Sequence, residues 1–259
     1  MPRYVIFGDE STLPTMERLL EGQVLAAVVA AARPQSQGLA RRGTLNGVSV
    51  LSQPSAGAAD YPAFEQALRD LHPEFFLCFS YSMILPPALL AIPAQGAINV
   101  HGGLLPRYRG ANVLNWALIE GATATGVTAH YMTPRVDGGD IVLQQPVAIV
   151  ESDTAVTLKR RLDAAGCRLL ERIHGALSRG ERLPRTPQDE SAARYYRRRR
   201  PEDGRIDWSR SDREIHDLVR ALVSPWPGAY YFDKSGRKVT VDRYLTMDQV
   251  RQLRQEHAG

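Results

Sequence analysis

What this chain has little of narrows its reading first. Only Cys78 and Cys167 occur in 259 residues. Both sit in apolar patterns without CxxC spacing, which argues against a disulfide framework or a thiolate metal site and for two buried thiols. No apolar run approaches the roughly 20 residues of a membrane-spanning helix, so no membrane partner is expected. The opening MPRYVIFGDE puts an acid pair directly after a short apolar run, the wrong order for a secretory signal, and a cytoplasmic location is the expectation. The signature GxGxxG is missing after that run, where Gly8 stands alone, and NAD binding is disfavoured accordingly. There is no internal repeat and no low-complexity tract.

What remains is an ordinary globular composition, 44% hydrophobic and 23% charged, in a chain long enough for one large domain and a small appendage. The net charge of +4 is mild, and much of the excess sits in Arg194 and the run Arg197, Arg198, Arg199 and Arg200. That cluster reads either as a contact for phosphate or nucleic acid, or as a solvated basic turn.

Strand and helix patterns alternate from the start. Residues 4–7 are a short apolar run broken by Gly8, as in a buried parallel strand. Ser11 or Thr12 can cap a helix carrying Met16, Leu19 and Leu20, and residues 24–31 follow as a second strand. Residues 33–46, with Arg33, Arg41 and Arg42, show no period and are expected to form a polar loop. Further strands are predicted at 48–51, 75–79, 97–100, 128–132 and 146–150, with helices at 61–71, through Leu89 to Ile92, and from a cap at Ser152-Asp153-Thr154 through Ile173. This alternation predicts an α/β fold with an open, mostly parallel sheet, helices on both faces, and ligands beyond the carboxyl ends of the strands. Residues 1–184 are expected to form the large domain and 185–200 a polar linker. Residues 201–259 then form a small unit with a helix at 211–223 and a hairpin of 229–232 and 238–244. Residues 249–257 are expected to be a frayed terminal helix.

The chemistry concentrates in residues 97–144. Asn99 and His101 have alternate spacing at a strand end, so their side chains share one side of the sheet. An amide beside an imidazole suits acyl-type transfer: the amide bonds an oxyanion as a carbonyl carbon becomes tetrahedral, and the imidazole moves a proton to or from nitrogen. Asp137, in a glycine-flanked loop, can stabilise imidazolium and so raise the histidine pKa. Taken singly, a strand-end histidine is more often structural, and Asp-Gly-Gly is a good turn.

The whole text is more specific. INVHGGLLPRYRG, then NW, ATGVTAHYM and VDGGDIV, closely resembles the folate-dependent formyltransferases, which include methionyl-tRNA formyltransferase, glycinamide ribonucleotide transformylase and the amino-sugar nucleotide formyltransferases. Residues 82–86 resemble that family's folate loop. RRRPEDGRIDW and PWPGAYY resemble the start of the C-terminal unit in its tRNA and amino-sugar branches, so the similarity covers most of the chain. The resemblance implies the Rossmann-like formyltransferase fold, 10-formyltetrahydrofolate as formyl donor, a primary amine as acceptor, and no metal. It implies that Asn99 steadies the tetrahedral oxyanion, His101 is the general acid/base, and Asp137 orients His101 and raises its pKa. Met83, Ile84 and Leu85 would line the folate pocket, with Thr133, Pro134, Arg135, Val136 and Asp137 closing its other side. Two positions depart from the family pattern. Gly103 stands where HxSLLP has serine, and Ala111 follows the RG pair where the UDP-amino-arabinose enzyme has arginine.

Among acceptors, an amino-sugar nucleotide leads, on the likeness of residues 101–121 to that branch. Arg107 or Arg109 would meet phosphate and Trp116 would pack on the ligand; core packing of Trp116 and a surface salt bridge at Arg109 are the plain alternatives. A tRNA would use the arginines of 33–42 and 197–200, but about 58 residues after Pro201 are short for a closed five-stranded barrel. The side-chain amine of an amino acid in siderophore or peptide synthesis is a third acceptor. A folate- or nucleotide-binding module without turnover is the non-enzymatic reading, opposed by the intact Asn99, His101 and Asp137 set. Tyr230, Tyr231 and Phe232 serve either a homodimer surface or packing onto the large domain.

Overall fold

The computed structural model describes residues 2–31 and 37–257. The chain begins β1 (Tyr4–Gly8), α1 (Leu13–Glu21), β2 (Leu25–Ala30), α2 (Gln37–Leu45), β3 (Ser49–Ser52), α3 (Tyr61–Asp70), β4 (Phe75–Phe79), α4 (Pro87–Leu90) and β5 (Gly96–His101). It continues through β6 (Arg109–Gly110), α5 (Val113–Ile119), β7 (Ala124–Tyr131), β8 (Ile141–Ala148), α6 (Ala155–Ser178) and β9 (Tyr195–Tyr196). A small C-terminal unit follows, with α7 (Asp212–Arg220), the antiparallel hairpin of β10 (Ala229–Phe232) and β11 (Lys238–Val241), and α8 (Met247–His257).

The main sheet has the order β3-β2-β1-β4-β5-β7-β8. Its first five members are parallel, and β7 and β8 add antiparallel beyond β5. Strand alternation divides the core between the two faces. Tyr4 and Ile6 join Met16 of α1 and Leu158 and Leu169 of α6, whereas Val5 and Phe7 join Phe64 and Leu68 of α3. Each fully buried leucine or phenylalanine contributes about 2 kcal/mol of apolar burial. Strand order reverses where β1 meets β4, and the crevice beyond such a reversal is where this architecture opens. Among the described residues no helix is long and apolar enough to cross a membrane.

Residues 37–45 are helical where a polar loop is expected. Leu39 is fully buried, and a methyl added at Gly43 would stand 2.9 Å from Val50 Cγ2. The packed face is thus an i, i+4 pair whose second member contributes closeness instead of apolar area, and apolar counting passes over it. Arg42 is tied to Glu17 at 2.6 Å, while Arg33 lies outside the described residues. β8 starts at Ile141, five residues before the expected strand, because Gln144 and Gln145 interrupt its apolar reading. Nor is α8 frayed: Val250 is fully buried and Tyr231 Oη lies 3.1 Å from His257 Nε2.

The C-terminal unit docks through polar groups as well as Ile215 and Val219. Arg220 is buried, pairs with Asp217 at 2.7 Å, and donates to the Val150 and Asp153 carbonyls at 2.9 and 3.2 Å. Asn115 Nδ2 donates to the Ala221 carbonyl at 2.7 Å.

Candidate active site

β5 delivers Asn99 and His101 to one cleft at its carboxyl end, and the loop after β7 brings Asp137 to the same cleft. His101 Nε2 is 2.5 Å from the Tyr108 carbonyl oxygen, and Nδ1 faces Asp137 Oδ2 at 3.6 Å. Since a carbonyl only accepts, Nε2 carries the proton and Nδ1 is the basic atom of the neutral ring. The ring is therefore oriented by the Tyr108 carbonyl, a task the family resemblance gives to Asp137. Burial pulls the His101 pKa below its ordinary 6.5; Asp137 pushes upward, as does the Tyr108 bond, but burial prevails, with His130 on its side. The expected raised pKa is corrected on this point: the carboxylate acts in the expected direction and is outweighed.

For Asp137, burial favours the neutral acid, yet its pKa lies below the usual carboxylate value. His130, the electrostatic pull of the His101 ring and the Gly110 N–H, which donates to Oδ2 at 2.8 Å, outweigh the burial. A neutral imidazole beside an ionised carboxylate can accept a proton and have the new charge stabilised. Asp137 also sits at φ +50°, a conformation that aspartate tolerates better than most side chains.

His130 is a member of this cluster that sequence reasoning missed. Its Nε2 stands 3.2 Å from Asn99 Nδ2 and 3.4 Å from Asp137 Oδ1, and its Nδ1 is 2.9 Å from the Tyr131 carbonyl. Finding it requires the register that sets Asn99 opposite His130 across β5 and β7, and an apolar run does not reveal register.

Residues 186–196 also do more than link two units. Thr186 bridges to Ile141, and β9 pairs with β6. Arg109 is wholly buried beneath this strap with all five N–H groups engaged. Nε and Nη2 donate to Gln188 Oε1 at 3.1 and 2.8 Å, Nη1 and Nη2 to the Glu190 carboxylate at 3.0 and 2.9 Å, and Nη1 to Tyr195 Oη at 3.1 Å. Gln188 Nε2 in turn donates to the carbonyls of Asp137 and Gly139 at 2.8 and 2.7 Å. Arg109 thus has no free N–H for a phosphate, which corrects its expected place among acceptor contacts. Trp116 is likewise occupied: its indole N–H donates to the Arg197 carbonyl at 3.0 Å, and its ring lies under the Arg199 guanidinium at 5.0 Å. Arg107 stays exposed, 3.9 Å from Glu120.

The cleft has a volume of about 450 Å³, within the range for small-molecule sites. Met83, Ile84 and Leu85 line it together with Thr133, Pro134, Arg135, Val136 and Asp137. Ile84 is 79% and Val136 53% exposed, so each segment offers an apolar side chain to a ligand. Gln53, which the sequence does not single out, braces the first segment: its Nε2 donates to the Ile84 carbonyl at 3.0 Å, and its Oε1 accepts from Tyr81 Oη at 2.9 Å. A second chamber of about 300 Å³ shares Tyr81, Asn99, His101 and Gly110 with this cleft and extends to Lys159, Asp163 and Trp226. Asn99 and His101 therefore stand between two spaces, as a group transfer between two substrates requires.

Sheet, paired chambers and polar cluster define an α/β enzyme of the group-transfer class. Residues 5–173 match the formyl transferase family, and residues 199–252 match the formyl transferase C-terminal domain. The chain belongs to the formyl transferase family. Its structure is similar to that of a 4-N formyltransferase from Francisella tularensis, at 18% identity and TM-score 0.75 over 95% of this chain and 98% of that one. It is similar too to an N-formyltransferase from Helicobacter canadensis, solved with folinic acid and dTDP-3-aminofucose, at 19% identity and TM-score 0.71 over 86% and 81%. Glycinamide ribonucleotide transformylase 1 from Symbiobacterium toebii matches at 27% identity and TM-score 0.59 over 72% and 94%.

Proposed function

We propose that this enzyme moves the formyl group of 10-formyltetrahydrofolate to the amino group of a nucleotide-linked amino sugar. The observation that carries the reading is the placement of Asn99 and His101 where the two chambers meet. The larger cleft fits a folate: Ile84 and Val136 offer apolar surface to its rings, and the backbone of residues 83–85 and 133–137 offers polar groups to the pterin edge. The bound folate supplies the formyl carbon, and its N10 leaves carrying a proton. Asn99 Nδ2 donates a hydrogen bond to the oxygen that gains charge as the formyl carbon becomes tetrahedral. His101 Nδ1 takes the proton released by the attacking amine, Asp137 stabilises the imidazolium so formed, and the imidazolium passes that proton to N10 as the carbon–N10 bond breaks. The amino-sugar acceptor is supported by the similarity in fold to sugar N-formyltransferases and by the chamber between Asn99 and Trp226.

The test is transfer itself. Protein incubated with 10-formyltetrahydrofolate and a panel of UDP- and dTDP-linked amino sugars, alongside charged initiator tRNA, is expected to formylate a sugar nucleotide, read by mass spectrometry. Transfer to tRNA alone would overturn the acceptor. His101→Ala is expected to abolish transfer while folate binding persists, and near-normal turnover in that variant would overturn the proton-transfer role.

A further inference from the structure

The chamber on the acceptor side continues beyond its own walls. Asn112 and Trp226 line both it and a narrower groove of about 130 Å³, whose far side is formed by Arg199, Arg200 and Pro201. The two spaces differ in charge. In the inner chamber Lys159 Nζ is bonded to the Asp163 carboxylate at 2.7 and 3.0 Å, a neutralised pair suited to hydroxyl groups and not to an anion.

The outer groove has cationic charge to spare. Along the basic run, Arg197 is held by the Asp203 carboxylate at 2.5 and 2.7 Å, and Arg199 donates Nη2 to the Asp203 carbonyl at 2.8 Å. Arg200 meets Asp203 through its backbone only, its N–H donating to the carboxylate at 2.7 Å and its carbonyl accepting from the Asp203 N–H at 3.1 Å. Its side chain is exposed, with no acidic partner among the described residues. A guanidinium without a carboxylate at the end of a groove that leads to a catalytic histidine matches the bidentate geometry of a phosphate.

We propose that this groove is the pyrophosphate subsite of the acceptor. Arg200 binds the phosphate oxygens, and the amino sugar passes between Asn112 and Trp226 to reach Asn99 and His101. This rests on the amino-sugar nucleotide reading above and adds where that acceptor is held. Arg200 and Trp226 both lie in the segment that matches the C-terminal domain, so that unit takes part in choosing the acceptor.

The full-length protein is titrated by calorimetry with UDP and dTDP, with the corresponding nucleosides, and separately with 5-formyltetrahydrofolate. The diphosphates are expected to bind and the nucleosides to bind at least tenfold more weakly. Arg200→Ala is expected to weaken diphosphate binding about tenfold, about 1.4 kcal/mol, with Arg200→Lys intermediate and folate affinity unchanged in both. Trp226→Ala is expected to raise KM for the accepted sugar nucleotide severalfold. Diphosphate affinity and kcat/KM unaltered in Arg200→Ala, or no diphosphate binding by the wild type, would overturn the subsite and leave the acceptor class standing. Formylation of charged tRNA with every sugar nucleotide refused would overturn both.

Discussion

Gln188 lies outside the acceptor chamber, yet its replacement by leucine should slow transfer sharply. Its amide makes four hydrogen bonds: two accepted from Arg109 and two donated to the carbonyls of Asp137 and Gly139. At about 0.5–1.5 kcal/mol each the set amounts to about 2–6 kcal/mol, and the half-buried position favours the lower end because water can replace part of it. The loss falls on a surface strap that can detach without unfolding the sheet, so the melting temperature should drop by only a few degrees. The catalytic effect should be larger. Asp137 is held at φ +50°, and once its carbonyl is released the residue can relax and carry its carboxylate away from His101 Nδ1. Misplacement by about 1 Å costs up to about 100-fold in rate, so kcat for tetrahydrofolate release at saturating substrates should fall about 10- to 100-fold, with acceptor KM within about threefold. Gln188→Glu keeps the acceptors for Arg109 but sets a carboxylate oxygen against two carbonyls, and should be as slow as the leucine variant. The double variant Arg109→Met, Gln188→Leu should be little worse than either single one, because the two act as one relay. A Gln188→Leu enzyme within threefold of wild-type kcat would refute the reasoning.

Other expectations follow from the same geometry. His101 must be neutral to accept a proton and its pKa lies below 6.5, so kcat should be flat above that pH and fall on the acid side, through a pKa lower than 6.5. Asp137→Asn removes the upward push and should move this limb to still lower pH while reducing the plateau; a limb that moved upward in a pH–rate profile would contradict the sign. The same depressed pKa makes stability decline as pH falls from 6.5 toward the folded value, because the unfolded chain takes up the proton first. Introducing the family serine by Gly103→Ser places Cβ 2.8 Å from Tyr108 Cβ and 3.1 Å from His101 Nε2; the forced shift should lower kcat about tenfold or more, with folate affinity retained in equilibrium binding. Arg220→Met leaves Asp217 with Arg213, at 3.1 Å, and takes the donor from the Val150 and Asp153 carbonyls, and should cost about 2–3 kcal/mol in denaturant unfolding; a loss under about 1 kcal/mol would show that Arg220 does not dock the C-terminal unit.

The sheet was largely legible because parallel strands buried on both faces appear as apolar runs such as those over Tyr4 and Phe75, and strand alternation sets Asn99 and His101 on one side of the sheet, while their roles came from the family resemblance. Other features escaped for specific physical reasons. Helix α2 packs through Leu39 and a glycine, so half of its contact face has no side chain to count. β8 hides behind Gln144, whose amide bonds Thr128 and the Leu105 carbonyl at 2.9 and 2.8 Å; a polar strand residue here holds the loop after His101. Arg109 reads as a surface arginine, and only the strap 81 residues later makes it a buried one.

The strap also shows why the Asp137 carboxylate can be both buried and ionised. Desolvation alone would favour the neutral acid, and Asp137 escapes this because the groups that favour its charge come from separate parts of the chain: His101 on β5, His130 on β7 and the Gly110 amide, which donates to it, on β6. β6 is in turn fixed by pairing with β9 and by the Arg109 contacts to Gln188 and Glu190. The charge on Asp137 therefore depends on the segment that runs from the large domain into the C-terminal unit. Four residues beyond β9 this segment reaches Arg200, at the edge of the groove proposed for the acceptor, so a single stretch of chain supports the Asp137 carboxylate and borders that groove. A tether of only spacer function would have no reason to carry Gln188, Glu190 and Tyr195 at positions that all meet one arginine.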